Sequence, residues 1–328
     1  MIITRTPFRI SFVGGGSDIS TFYKRSRGAV LSTSINKYMY ISSHHYFDKK
    51  IFQIKYSKTE IVNSIEKIQH PIVREAIKMI GIKDGFEMSS IADIPSGTGM
   101  GSSSSFTVGL LHNLYAIKRQ YVSKEQLAAE ACKIEIDILG EPIGKQDQYA
   151  ASYGGLNIIY FNPDDTVEVM PLYIKSEVYH QLEKNLVLFY IGHQRKASDI
   201  LSEQKKNIKE ETKFRILKSM TKLVEDLKNV LFSGDIDDFG KIMHENWILK
   251  QQLASKISNP QINEIYDTAI KNGALGGKLL GAGGGGFMLF YCPESQQAKL
   301  IYALSKLRQF NFKFDQDGSK LIYFADEF

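Results

Sequence analysis

Thirteen of the 26 glycines in this 328-residue chain fall in three short segments, 14–16, 97–101 and 276–286. None of the three is a low-complexity tract, and each adjoins a segment with strand or helix periodicity. Glycine frees the backbone to adopt left-handed angles and to approach another group closely. Clusters placed this way point to main chain held against a ligand by a packed scaffold. The scaffold itself is affordable: 43% of residues are apolar and 23% charged, so the chain is not disordered. Its length suggests about two domains and is ample for a core without disulfide or metal staples.

Other classes drop out on the same composition. No apolar run approaches the roughly 20 residues of a membrane span, and the opening MIITRTPFRISFVGGG has no signal-peptide pattern. Cys132 and Cys292 give neither a disulfide framework nor zinc spacing and read as buried thiols, so a cytoplasmic, reducing location is the expectation. The net charge of +5 is too diffuse for nucleic acid.

Along the chain, Ile2–Phe12, Lys37–Ser43, Lys50–Tyr56 and Phe86–Ile91 read as strands, and His70–Ile80 as a helix with Pro71 in its first turn. Helical spacing of Phe106, Leu110, Leu111, Leu114 and Ile117 starts a helix at about Ser102. A second begins at a Ser123/Gln126 capping box, buries Leu127, Ala131, Ile134 and Ile138, and ends near Gly140. Ser152–Phe161, Thr166–Pro171 and Asn185–Ile191 read as strands. A helical region follows, with an amphipathic stripe at Ile216, Met220, Leu223, Leu227 and Val230 and further helices at Asp237–Ser255 and Pro260–Asn272. Strands return at Gly286–Cys292 and Leu321–Phe324, with a helix between them. The domain break falls near residues 175–185, dividing the chain into 1–178 and 179–328.

Four motifs carry chemistry. In PSGTGMGSSSS (Pro95–Ser105) glycine-freed amides lead into a helix N-terminus, an anion site. The alternative, a Gly/Ser linker, is opposed by the apolar-periodic helix that follows. No lysine follows the glycines, so a Walker loop is excluded. GAGGGG (281–286) matches GxGxxG by letter, but a strand follows it where a dinucleotide-binding fold needs a helix. It reads instead as a closely approached loop at a strand entry. RISFVGGGSD (9–18) offers Ser17 and Asp18 to sugar hydroxyls, or else is a turn with Asp18 as a helix cap. Glu135 on the second helix and Asp147 in GKQDQ would converge on a metal and a hydroxyl, or else are surface carboxylates.

Taken together and in order, these segments resemble the GHMP kinase superfamily. PSGTGMGSS resembles its phosphate loop, LGGKLLGAGGGGF its C-terminal glycine motif and RISFVGGGSD its N-terminal substrate motif, with GxxDQ at Gly144–Gln148 between them. The resemblance implies an α+β fold of two domains, a ribosomal-protein-like N-terminal one and a ferredoxin-like C-terminal one, with the active site between. It implies ATP-dependent phosphorylation of a hydroxyl group. Residues Pro95, Gly97, Thr98, Gly99, Met100, Gly101, Ser102 and Ser103 would wrap the ATP phosphates, and Ser103 and Glu135 would ligate Mg2+. Asp147 would be the catalytic carboxylate, assisted by Arg9, and Asp18 would hold the sugar. Lys145 would keep Asp147 ionised, or else is simply exposed.

The acceptor follows from two glycines. Galactokinases carry Glu-His where this chain has Gly15 and Gly16, so the resemblance disfavours galactose. It favours the sugar-1-kinase branch that acts on D-glycero-D-manno-heptose 7-phosphate and L-fucose. The absence of a fused pyrophosphorylase domain points within that branch to the phosphorylated heptose. Another sugar, or a mevalonate-type alcohol, is the alternative, and a non-catalytic sensor is disfavoured because Asp147, Glu135 and Ser103 are all present. A phosphorylated sugar asks for a second anion site, for which the basic candidates are His193, Arg195 and Lys196, with Lys37 and Lys278, Arg195 first among them or else part of a solvated charge cluster; Gly283 of the last glycine loop is also expected at the substrate. The expected partners are this small molecule and ATP, with no nucleic acid or membrane; a homodimer is left open.

Overall fold

A computed structural model of the chain describes residues 1–192 and 197–325. The fold is built on two long antiparallel strands, β1 (Ile2–Val13) and β2 (Gly28–His45). Every residue of β1 from Thr6 onward is buried, which is why its sequence alternates so poorly. β2 extends nine residues further toward the N-terminus than the tyrosine-rich stretch that announces it. That length lets it serve several neighbours on one edge. Met39–His45 pairs with β5 (Phe86–Ala92), whereas Gly28–Thr33 pairs with β6 (Leu156–Phe161). The strands β3 (Phe52–Lys55), β4 (Thr59–Val62) and β7 (Val167–Pro171) complete these two arms.

On this sheet lie α1 (Ser20–Tyr23), α2 (Pro71–Ile80), α3 (Ser102–Ile117), α4 (Lys124–Cys132) and α5 (Gln146–Tyr153). The signals that start and stop the longer ones act as their chemistry requires. His70 accepts the Val73 amide ahead of Pro71, Ser123 accepts the Gln126 amide, and Gly81 closes α2 in the left-handed conformation (φ 72°). The capping box at Ser123 is only half made, because the Gln126 side chain bonds Tyr115 and Glu130 instead. α3 is buried nearly all round, as a helix between a sheet and other helices must be. The helix α5 is absent from the strand reading of Ser152–Phe161. Ser152 and Tyr153 are its last residues, and β6 starts only at Leu156, after two positive-φ glycines.

The second sheet is four-stranded and antiparallel, in the order β11 (Arg308–Gln309), β8 (Leu186–Gly192), β10 (Gly286–Tyr291) and β9 (Gly276–Leu279). Around it lie α6 (Ser176–Asn185), α7 (Ala197–Asn207), α8 (Glu211–Ser233), α9 (Asp237–Gln251), α10 (Pro260–Lys271) and α11 (Glu294–Ala303). Its core stacks Trp247, Tyr266 and Phe290, with ring centroids about 6 Å apart. Beyond β11 the chain returns to the first sheet, where β12 (Phe314–Asp315) pairs with β2 and β13 (Lys320–Phe324) with β1. No helix among the described residues is long and apolar enough to cross a membrane.

Phe12, fully buried on β1, joins the two halves. Its ring meets Phe239 of α9 edge-to-face at 5.1 Å and Phe314 of β12 at 6.3 Å. Replacing Phe12 with Ala empties the junction, so denaturant unfolding is expected to show a loss of about 3–5 kcal/mol.

Candidate active site

A cavity of roughly 320 Å³ opens where the end of β1, the start of α3, the start of α5 and the β9–β10 loop meet. Arg9, 4% exposed, reaches across it from β1. Its Nε and Nη2 donate to the two carboxylate oxygens of Asp147 at 2.7 and 2.8 Å, and its Nη1 donates to the Gly99 carbonyl at 2.8 Å. This bidentate fork fixes the plane of the carboxylate. Each Asp147 oxygen keeps a second lone pair for a further donor. Asp147 stands in the first turn of α5, and a Cβ on Gly101 would lie 3.2 Å from its Oδ2, so the first glycine loop runs directly against it.

Glu135 reaches the same cavity by a different device. After α4 the helix widens into a π-turn over Lys133–Ile138. The wider turn swings Glu135 to complete burial and leaves Ile138, expected on the buried stripe, 45% exposed. The Ser103 hydroxyl donates to Glu135 Oε1 at 2.6 Å and the Gln148 amide to Oε2 at 2.7 Å. Burial outweighs these bonds and pushes the carboxyl up to about 7, with Asp147 adding a smaller push. Ser103 is the second residue of α3, so its hydroxyl and the helix N-terminus face the cavity together.

The two larger glycine loops pack on each other. A Cβ on Gly281 would lie 2.4 Å from the Gly99 Cα, and one on Gly286 2.3 Å from the Thr98 carbonyl. Backbone meets backbone here, which only glycine permits. Each loop is also held by a buried cation. Arg9 takes the Gly99 carbonyl, and Lys250 of α9 donates to the Gly281 carbonyl at 2.6 Å. Lys250 lines the cavity at 5% exposure. Burial and then the nearby Arg9 charge bring its ammonium down to about 8. One turn earlier, Asn246 accepts the Gly14 amide at 3.2 Å, so α9 presents Asn246 and Lys250 to the first and last glycine segments.

The residues singled out in the sequence divide. Arg9, Asp147, Ser103, Glu135, Gly15, Gly16, Asp18, Gly97, Gly99, Gly101, Ser102 and Gly283 all line the cavity. Asp18 accepts the Gly16 amide at 3.0 Å and the Gln146 amide at 3.2 Å, joining the substrate motif to the start of α5; burial and Asp147 raise its pKa. Gly283 owes its identity to packing, since a Cβ there would sit 2.7 Å from the Ile257 Cα.

The remaining side chains are directed elsewhere. Ser17 is turned into the fold, bonding the main chain of Gly14 and Ala29. Lys278 is buried in β9 and donates to the Ser11 carbonyl at 2.7 Å, not into the cavity. Met100 points into the core, Thr98 closes the loop by donating to the Pro95 carbonyl, and Pro95 itself is exposed, so these three residues can serve the loop only through their main chain. Lys145 pairs with Asp165 at 2.6 Å, and Arg9 takes the place beside Asp147 expected of it. The Ile134 stripe breaks at the π-turn, as above. His193, Arg195 and Lys196 lie outside the described residues.

Sequence reasoning passed over Lys250, Gln146 and Gln204, which also line the cavity. The signal for Lys250 was present: it continues the Phe239, Met243, Trp247 stripe of α9, where a charge has no business unless it serves a site. Combined, the groups form a carboxylate held by a guanidinium, a helix N-terminus with a hydroxyl and a second carboxylate, and a buried ammonium bonded to a main-chain carbonyl. Such a site can orient an alcohol beside a polyanion.

Comparison with known proteins gives the same answer. The model for the GHMP kinases N terminal domain matches residues 51–155 and that for GHMP kinases C terminal matches 223–307. The D-glycero-alpha-D-manno-heptose 7-phosphate kinase of Campylobacter jejuni is 31% identical, over 97% of this chain and 98% of that protein. A solved D-glycero-D-manno-heptose 1-phosphate kinase from Bacteroides thetaiotaomicron superposes with a TM-score of 0.82 at 24% identity, covering 99% of this chain and all of that one. A putative sugar kinase from Campylobacter jejuni gives 0.74 at 28% identity, over 98% of this chain and 97% of the other. With both halves matched by the family's own domains and the α+β fold shared along its whole length, this chain belongs to the GHMP kinases and is a sugar kinase, a phosphotransferase acting on a hydroxyl group.

Proposed function

We propose that the protein transfers the γ-phosphoryl group of ATP to the anomeric hydroxyl of D-glycero-D-manno-heptose 7-phosphate, giving the 1,7-bisphosphate for nucleotide-activated heptose of bacterial surface polysaccharide. The observation that carries this reading is the Arg9–Asp147 fork facing a cavity whose substrate loop has no side chain at Gly15 and Gly16. The near end-to-end likeness to the Campylobacter jejuni heptose 7-phosphate kinase supports the choice of sugar.

Each residue has a role in phosphoryl transfer, which needs positioning and charge neutralisation more than covalent chemistry. The amides from Gly97 to Ser103 and the start of α3 take the ATP phosphates. Asp147 accepts the hydroxyl proton as the oxygen attacks, and Arg9 keeps the carboxylate aimed. Asp18 and the Gly15–Gly16 backbone seat the sugar. Ser103 and Glu135 fit Mg2+: the carboxylate is fully buried with hydroxyl and amide donors and, among the described residues, no cation bonded to it. Mg2+ supplies charge neutralisation on the phosphates when bound.

Three outcomes are expected. In an ADP-release assay over a sugar panel, heptose 7-phosphate is turned over; turnover of fucose or mannose with none of the heptose phosphate would overturn the assignment. Asp147→Asn keeps ATP binding, read by calorimetry, while kcat falls by orders of magnitude; near-normal turnover would remove Asp147 from the mechanism. Lys250 gives a pH signature. Its pKa is 10.5 in the unfolded chain and about 8 when folded. The unfolded state therefore binds the extra proton between these values, and below pH 8 the folded protein carries the whole cost of the buried cation. Lys250→Met is expected to raise the melting temperature at pH 7, by less at pH 9, and to lower kcat about 10²-fold.

A further inference from the structure

Four side-chain amides have polar atoms with no hydrogen-bond partner among the described residues: Gln146 Oε1, Gln148 Oε1, Gln204 Nε2 and Asn246 Nδ2. Gln148 already serves Glu135 through its nitrogen and does not line the cavity. Asn246 is already used by Gly14 through its oxygen and does not line the cavity. Gln146 and Gln204 both line it. Gln204 is 2% exposed and lies on the buried stripe of α7, between Ile200 and Ile208. A glutamine there is destabilising as long as its donor is unmet, and a ligand that meets the donor recovers that free energy.

Their placement is specific. A Cβ on Gly16 would lie 2.3 Å from Gln204 Nε2, and one on Gly15 would lie 3.9 Å from Gln146 Nε2. Each glycine of the pair is thus flanked by one amide. The room left at position 16 is not open to substrate; the Gln204 amide fills it, brought from the other half of the chain. Gln146 immediately precedes Asp147, and its main-chain amide is fixed by Asp18. Both residues line the cavity, and between them they hold one unmet donor and one unmet acceptor, uncharged and shielded from solvent, which a small turn of either side chain brings to a ligand. A phosphate calls for cations or several amide donors, whereas a hydroxyl both donates and accepts.

We propose that the Gln204 and Gln146 side-chain amides clamp two hydroxyl groups of the sugar, and that this clamp sets specificity for the acceptor. The inference rests on the sugar-kinase reading above and adds the residues that read the ring. It places the determinant of sugar choice on α7 and α5, with Gly15 and Gly16 making room for it. A deoxy sugar then leaves one amide unpaired in a water-poor pocket, which is the kind of mismatch that discriminates strongly.

The test is steady-state kinetics of the full chain with D-glycero-D-manno-heptose 7-phosphate and its single-deoxy analogues, for wild type, Gln204→Met and Gln146→Met. Both variants are expected to raise KM for the sugar about 10- to 100-fold, with KM for ATP within about twofold and kcat within about threefold. One deoxy analogue should lose a similar factor with wild type and little further with the matching variant. An active wild type whose two variants keep its sugar KM overturns the clamp, as do variants whose KM for ATP rises in parallel. A wild type inactive on every sugar removes the kinase reading itself, and the clamp with it. Should Gln204→Met fail to fold, Gln146→Met carries the test, because that side chain is only partly buried.

Discussion

The Arg9 guanidinium is the contact on which the rest of the site depends. One planar group binds the Asp147 carboxylate with two donors and the Gly99 carbonyl with a third, so β1, α5 and the first glycine loop are set relative to one another by a single side chain. Such a charge can be almost wholly buried only because its donors are met with good geometry. β1 supplies the rigidity. It pairs with β2 along its length and is buried from Thr6 onward, so Arg9 projects from a strand fixed on both faces.

The second constraint is the contact between the two larger glycine loops. Regular elements with side chains could not bring Gly99 and Gly281 this close. Because the loops come from opposite halves of the chain, their contact closes the cavity at the same point where the halves are joined. Arg9 and Lys250 hold one carbonyl from each. The burial of these two cations beside Asp18, Asp147 and Glu135 makes a cavity crowded with charge, in which Glu135 is held toward its neutral form and Lys250 toward losing its proton. Both perturbations are of the kind a metal ion and a polyanion relieve together.

Much of this was legible along the chain. The helix starts at His70 and Ser123 are local events, decided by one side chain and the amide three residues on, and they stand in the structure at those residues. The entry from the glycine loop into α3 at Ser102 was legible because a helical apolar period follows the glycines and serines at once. The errors have a common cause. Glu135 moved inward and Ile138 outward because a π-turn shifts the phase of a helix, and no periodicity of 3.6 anticipates it. Ser17 and Lys278 are polar residues beside a motif, and proximity in sequence does not say which way a side chain points. α5 was hidden because its eight residues are too few to show a period.

Residue type and short spacing were enough to read the α+β class and the order of the glycine segments. Only the tertiary structure decided which charge stands beside Asp147, Arg9 at 138 positions' distance in place of Lys145 at two. It alone decided that Lys250 and Gln204 belong to the site and that Lys278 does not. The physical reason is the same in each case. Side chains on buried helix and strand faces are selected by what packs opposite them, and that neighbour comes from a remote part of the chain.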